Sequence, residues 1–402
     1  MFRKRSFVLT NASIHSLSET NNGDICVVGK NIESIEQNRI DLSRTPAVDL
    51  NNSWVFPGLI NAHDHLELNL FPNIGRGPYS NSYEWFDDVN AMRGEPAMAR
   101  VLAISMNDRL LWGGYRNLLS GVTTVGHHNP YHGAVFRKAF PVRVLRHYRW
   151  AHSLGLAESY GGRPEVESRK AGSREPFIIH IAEGVDTGAA GELRELDRLG
   201  ALRTSTVLVH GVGISSDDFQ LVKERGACLI WCPSSNMFLF DRTVDMAQLP
   251  DGIPVALATD STLSGKPTLF DELRVACDQS QMNERQLIKM VTCNAAKVLM
   301  LKENTGTLAP SSTADLLVLP RRSTDSGKDL LASRPRDIQL VIKAGCPLYG
   351  DVSFASLFDH CRIKVERVYV EGKAKLIMHG LGALLDRIRD KGAMPPIDVT
   401  RG

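Results

Sequence analysis

Between about residue 55 and residue 260, short runs rich in valine, isoleucine and leucine recur between stretches of helical period. The runs are VFPGLI (55–60), VTTVGH (122–127), VRVL (142–145), FIIHIAE (177–183), TVLVHGVG (206–213), ACLIWCP (227–233) and VALATD (255–260), and helical period fills 98–119, 216–225 and 284–301. Strands apolar on both faces, alternating with helices, call for a parallel sheet covered by helices. With this many units a closed barrel is the most economical solution, so the expected fold is α/β, a (β/α)8-type TIM barrel. One unit is short. Only about 30 residues separate VRVL from FIIHIAE, and much of that stretch (GGRPEVESRKAGSREP) is polar, which leaves one degenerate unit.

The two ends of the chain read as β structure. Residues 1–54 and 305–402 are expected to pair into one small β-sandwich carrying a C-terminal helix, beside a catalytic barrel of residues 55–304. In that helix Leu381, Leu384, Leu385 and Ile388 form one apolar stripe, suited to docking on the sandwich or on a partner subunit. A chain of 402 residues accommodates a barrel and a smaller unit. The formal net charge of +2 gives no electrostatic case for nucleic acid or an anionic membrane. The basic start MFRKR is followed by residues too polar for a signal peptide, and no apolar run reaches membrane-span length. The seven cysteines include no C-x-x-C pair, which argues against a disulfide framework or a thiolate zinc site and for a cytoplasmic protein. The expected partner is a small-molecule substrate; homo-oligomerisation stays open.

Polar residues collect at the strand ends. PGLINAHDH places His63 and His65 on one face of a strand and Asp64 on the other. FIIHIAE carries His180 and Glu183, TVLVHG ends in His210, and VALATD ends in Asp260. A lone histidine on an apolar strand is usually a hydrogen-bonded core residue, and a lone aspartate after a strand usually caps a helix. Four strands that each deliver a metal-ligand type to the same barrel face are better explained by one site. Three imidazoles with a carboxylate suit zinc or iron.

The segments VFPGLINAHDH, IIHIAE, VLVHG, CPSSN, ALATDS and NAAKVL…GTLAPSSTADLLVL together resemble the amidohydrolase superfamily, in the branch of cytosine and guanine deaminases and triazine chlorohydrolases. The resemblance covers nearly the whole chain. It implies one divalent metal, zinc or iron, bound by His63, His65, His180 and Asp260, with Glu183, His210 and Asp260 as catalytic groups. A second metal on His210 is the lesser alternative. Its usual bridging lysine is missing, because Lys170 lies in the charged stretch ESRKAGSRE and Lys138 precedes its strand. The implied reaction is hydrolysis of a non-peptide carbon–nitrogen bond by metal-activated water, foremost deamination of a small nitrogen heterocycle or cyclic amidine. The alternatives are a ring-opening cyclic amidase resembling imidazolonepropionase, another amidohydrolase, or a pseudo-enzyme, whose mark would be a missing ligand; none is missing. Candidate substrate contacts are His127 in VTTVGHHNPYH, His152 in RWAHSL and Asn236 in CPSSN.

Overall fold

The computed structural model describes residues 5–15, 20–36, 45–137, 139–156, 160–302 and 304–402. Eight parallel strands follow one another from the first apolar run: β1 (Leu59–Asp64), β2 (Val122–His127), β3 (Arg143–Val144), β4 (Arg149–Trp150), β5 (Phe177–Ile181), β6 (Thr206–His210), β7 (Cys228–Trp231) and β8 (Val255–Leu257). Strands β1 to β3 form one ladder and β4 to β8 another. The first and last strands are tied by side chains: Asn61 of β1 donates to Thr259 Oγ1 at 2.8 Å and accepts from the Thr259 amide at 3.1 Å. Every residue of β1, β2, β5, β6, β7 and β8 is buried, as strands enclosed by helices outside and side chains inside must be. This is the TIM-barrel architecture read from the sequence.

The degenerate unit is at β3 and β4. Each is two residues long, and only residues 145–148 connect them, too few for a helix. Among the described residues a single helix, Pro164–Ala171, then precedes β5.

After β1 come α1 (Ser82–Ala91), α2 (Pro96–Leu102) and α3 (Met106–Leu118). The helical period across 98–119 is interrupted because Ser105 caps a new helix, its side chain accepting from the Asp108 amide. Helix α3 lies unusually close to the turn after the two histidines. A Cβ at Gly113 would stand 2.3 Å from the Leu66 carbonyl oxygen, so only glycine fits.

Strands from both ends form one eleven-stranded sheet, joined where Trp54–Pro57 pairs antiparallel with Leu316–Leu319. The run VFPGLI is therefore two strands, split at Gly58. Its first half belongs to the terminal sheet, and we propose that the barrel begins at Gly58 rather than at residue 55. The helix Leu381–Arg389 buries its leucine and isoleucine stripe within the chain, packing on α3 and on Val399–Arg401 of the terminal sheet. Among the described residues no helix is long and apolar enough to cross a membrane.

Candidate metal centre

The C-terminal ends of β1, β5, β6 and β8 bring the polar residues together. His63 lies in β1 with His65 just after it, His180 in β5, His210 at the end of β6 and Asp260 just past β8. His210 and Asp260 hold left-handed backbone, φ 72° and 53°, which turns their side chains at the strand ends. The closest pair is His180 Nε2 and His63 Nε2, at 3.3 Å. Asp260 Oδ1 lies 3.9 Å from His63 Nε2 and 3.8 Å from His65 Nε2. Asp260 Oδ2 is 3.9 Å from His210 Nε2, which in turn is 3.4 Å from Glu183 Oε1.

Hydrogen bonds behind the rings fix which nitrogen faces the centre. His180 Nδ1 donates to the His152 carbonyl at 2.8 Å, and His210 Nδ1 donates to Asn236 Oδ1 at 2.8 Å, leaving both Nε2 lone pairs inward. Burial pushes His63 and His180 well below the ordinary imidazole range, so both are neutral. Lone pairs facing each other beside a carboxylate repel unless a cation lies between them. The donor set thus fits a divalent metal, and His63, His65, His180 and Asp260 are the residues that would hold it.

Asp64 points the other way, as strand alternation requires. It accepts from Arg116 Nη1 at 3.0 Å, Asn117 at 2.7 Å and Asn69 at 2.7 Å. Arg116 is buried and also donates to the Lys266 and Pro267 carbonyls at 2.7 Å, so one guanidinium locks the end of β1 to the loop after Asp260. Sequence reading missed it, because an arginine on an amphipathic helix reads as a solvent-facing residue.

Burial would raise Asp260, but His65, His210, the Ser261 amide at 2.6 Å and the Ser235 hydroxyl at 3.0 Å outweigh it and hold the carboxyl below its usual range. Glu183 moves the opposite way. Its burial raises the carboxyl above the ordinary range, and neighbouring His210 only partly offsets this.

These groups open into a cavity of about 510 Å³, lined also by Glu67, His152, Tyr83, Trp85 and Phe86. Of the three residues read as substrate contacts, only His152 lines it. His127 is packed behind Glu67, 3.9 Å from its Oε2, and is not part of the cavity wall. Asn236 is fully buried and holds His210, donating its own amide to Thr243 Oγ1 at 3.0 Å. The adjacent His128, not His127, joins the imidazole cluster. Lys170 sits on the helix before β5, paired with Glu167 at 2.7 Å, and Lys138 lies outside the described residues.

Beneath the site, Glu272 is fully buried and accepts from the Ser234 amide at 3.0 Å and from the Ser234 hydroxyl. Burial pushes its carboxyl from 4.5 up to about 8. The folded chain therefore retains a proton there that the unfolded chain releases, and stability falls as pH rises from about 4.5 to about 8. Glu272→Gln is expected to remove up to ~1.4 kcal/mol per pH unit of that decline, measured by denaturant unfolding at several pH values.

A barrel whose strand ends present imidazoles and carboxylates around one point defines a metal-dependent hydrolase architecture. The sequence pattern of the amidohydrolase family matches residues 172–374, and the chain belongs to that family. It is similar to the 5-methylthioadenosine/S-adenosylhomocysteine deaminase of Caldanaerobacter subterraneus subsp. tengcongensis, 23% identical over 428 aligned positions that cover 89% of this chain and 94% of that protein. It is also similar to a 5'-deoxyadenosine deaminase of Methanothermobacter thermautotrophicus, 24% identical over 72% of this chain and 80% of that one. In fold it resembles a zinc-bound adenosine deaminase from Xanthomonas campestris (TM-score 0.68, 16% identity, 96% of this chain and 99% of that chain). A zinc-bound atrazine chlorohydrolase from Arthrobacter aurescens is likewise similar (TM-score 0.70, 17% identity, 85% of this chain and 95% of that chain).

Proposed function

We propose that this chain deaminates a small nitrogen heterocycle, using one divalent metal, zinc or iron, held by His63, His65, His180 and Asp260. The observation that carries the reading is Glu183, a buried carboxyl biased toward its protonated form, 3.4 Å from His210 at the wall of the cavity. The metal, when bound, supplies a Lewis acid that makes water nucleophilic at neutral pH. Asp260, held ionised by its neighbours, is placed to accept the proton of that water. Glu183 gives its proton to a ring nitrogen, recovers one from the hydroxyl of the tetrahedral adduct and passes it to the departing amine, and Asp260 then returns the water's proton to Glu183, which calls for a carboxyl whose pKa lies near working pH. His210, its Nδ1 hydrogen engaged by Asn236, presents the Nε2 lone pair inward, where it accepts a hydrogen bond from the attacking water and holds that oxygen in line for the reacting carbon. Deaminase-named relatives support ammonia as the leaving group, and all seven cysteines being free thiols supports a cytoplasmic location.

The test is metal content of protein prepared without chelator, then an ammonia-release screen over amino-heterocycles and their nucleosides. About one zinc or iron per chain with ammonia formed mole for mole with substrate lost is the expected result. Ring opening without ammonia would overturn deamination in favour of a cyclic amidase, and two metals per chain would move His210 into the ligand set.

A further inference from the structure

We propose that His128 is a ligand of the same metal ion, adding a fourth imidazole to His63, His65 and His180. This inference rests on the reading above that a divalent ion occupies the centre, and it goes beyond the ligand set carried over from the family.

His128 follows β2, on a strand end that contributes nothing to the set inferred from sequence. The residue is 1% exposed. Its Nε2 lies 3.0 Å from the Ala151 carbonyl, which can only accept, so Nε2 carries the hydrogen and Nδ1 keeps a lone pair. That Nδ1 is buried and has no hydrogen-bond partner among the described residues. Interior polar atoms nearly always have a partner, and an imidazole lone pair left bare in the core needs a proton donor or a cation. The surroundings supply no donor and several more lone pairs. The His128 ring stacks on His180 at 4.3 Å and meets His63 edge-on at 5.0 Å.

One ligand nitrogen from each of His63, His65, His128 and His180 lies within 4.8 Å of the other three. Two nitrogens bound to one zinc ion are at most about 4.2 Å apart. Small side-chain rotations therefore close this set around a single ion. His63 also belongs to the group with His210 and Asp260, so the imidazole set and the reacting side share a ligand. His128 has one nitrogen anchored on Ala151 and the other unpartnered in a ring that belongs to the imidazole cluster, the arrangement of a ligand fixed by an outer hydrogen bond.

The test uses cobalt(II) as probe, in the full-length chain and in His128→Asn and His128→Asp. Both substitutions lose the bond to Ala151, and both set an oxygen close to the place of Nδ1; only the aspartate is a strong ligand. His128→Asn is expected to weaken cobalt affinity by about 100-fold or more and to change the visible cobalt spectrum, and His128→Asp to recover affinity to within about 10-fold of the parent. Equal losses in the two variants would assign His128 a structural role through Ala151, and wild-type affinity and spectrum in His128→Asn would remove it from the site. X-ray absorption of the metal-loaded parent counts imidazoles without any substitution: four support the proposal, three overturn it. Two cobalt ions per chain, of which His128→Asn loses one, would overturn the shared-ion assignment. A parent chain that binds neither cobalt nor zinc would instead refute the metal reading on which the proposal stands.

Discussion

Glu183→Gln is expected to keep the metal and lose about 10³-fold in kcat, with metal per chain unchanged. The amide has the size of the carboxyl and makes comparable hydrogen bonds, so the cavity wall and His210 should stay in place. What it cannot do is give up a proton and take one back. General acid–base catalysis by a positioned side chain is worth roughly 10²–10⁴ in rate, and Glu183 is asked to transfer a proton twice per turnover. The direction of its pKa shift gives the sign of the pH dependence. Burial raises Glu183, so the carboxyl stays protonated to higher pH than an exposed glutamate, and kcat/KM should fall on the alkaline side as it ionises. Metal analysis alongside steady-state kinetics of the parent and the variant checks both halves. A Gln variant with parental kcat would remove Glu183 from the mechanism, and one that lost its metal would show that the carboxyl supports the ligand shell.

Much of the site was legible in the sequence because strand geometry is simple. Side chains alternate on a strand, so the pattern His63-Asp64-His65 divides into an inward pair and an outward anchor, and the inward residues of a parallel barrel meet at one end. His210 and Asp260 each end an apolar run and His180 lies one residue from the end of its strand, and the end of a run in a parallel sheet is a place in space. The remainder failed for local reasons. Which of two adjacent histidines faces inward depends on how β2 leaves the barrel, and the sequence HH carries no sign of it; His128 joins the cluster while His127 packs behind Glu67. Asn236 lies in the first turn of the helix Pro233–Phe240, which starts directly after β7, and so points at His210 rather than into the cavity, a matter of helix phase. Arg116 is hidden because its partner Asp64 is 52 residues away in sequence. β3 falls inside the run VRVL and is legible there, whereas a two-residue strand such as β4, without an apolar run around it, is shorter than any periodicity can register.

Asp260→Ala is expected to have the largest effect, a loss of about 10⁴-fold or more in turnover together with weaker metal binding. In the proposed mechanism one carboxylate serves two purposes. Oδ1 faces His63 and His65 at 3.9 and 3.8 Å, where an ion would sit, and Oδ2 faces His210 at 3.9 Å on the reacting side. The surroundings are built around its negative charge. The Ser261 amide and the Ser235 hydroxyl donate to it, and the carboxyl is held below its usual range despite full burial. Alanine removes the only carboxylate of the four-residue set, so neutral imidazoles must hold a divalent charge unaided, and it leaves the Ser261 amide bare in a dry site. Asp260→Asn separates the two purposes. The amide keeps one oxygen, at the place of Oδ1, for the metal and for the Ser261 amide, and turns its NH2 towards Ser235, but it cannot take the proton of the nucleophilic water. Its metal affinity should fall by less than that of Asp260→Ala, while its kcat falls almost as far. Competition of each variant with a chromogenic chelator, read beside single-turnover rates at saturating metal, separates affinity from chemistry. If saturating metal restored Asp260→Asn to the parental rate, proton acceptance would have to be reassigned to another group at the cavity wall, and Glu183 is the carboxyl placed to take it.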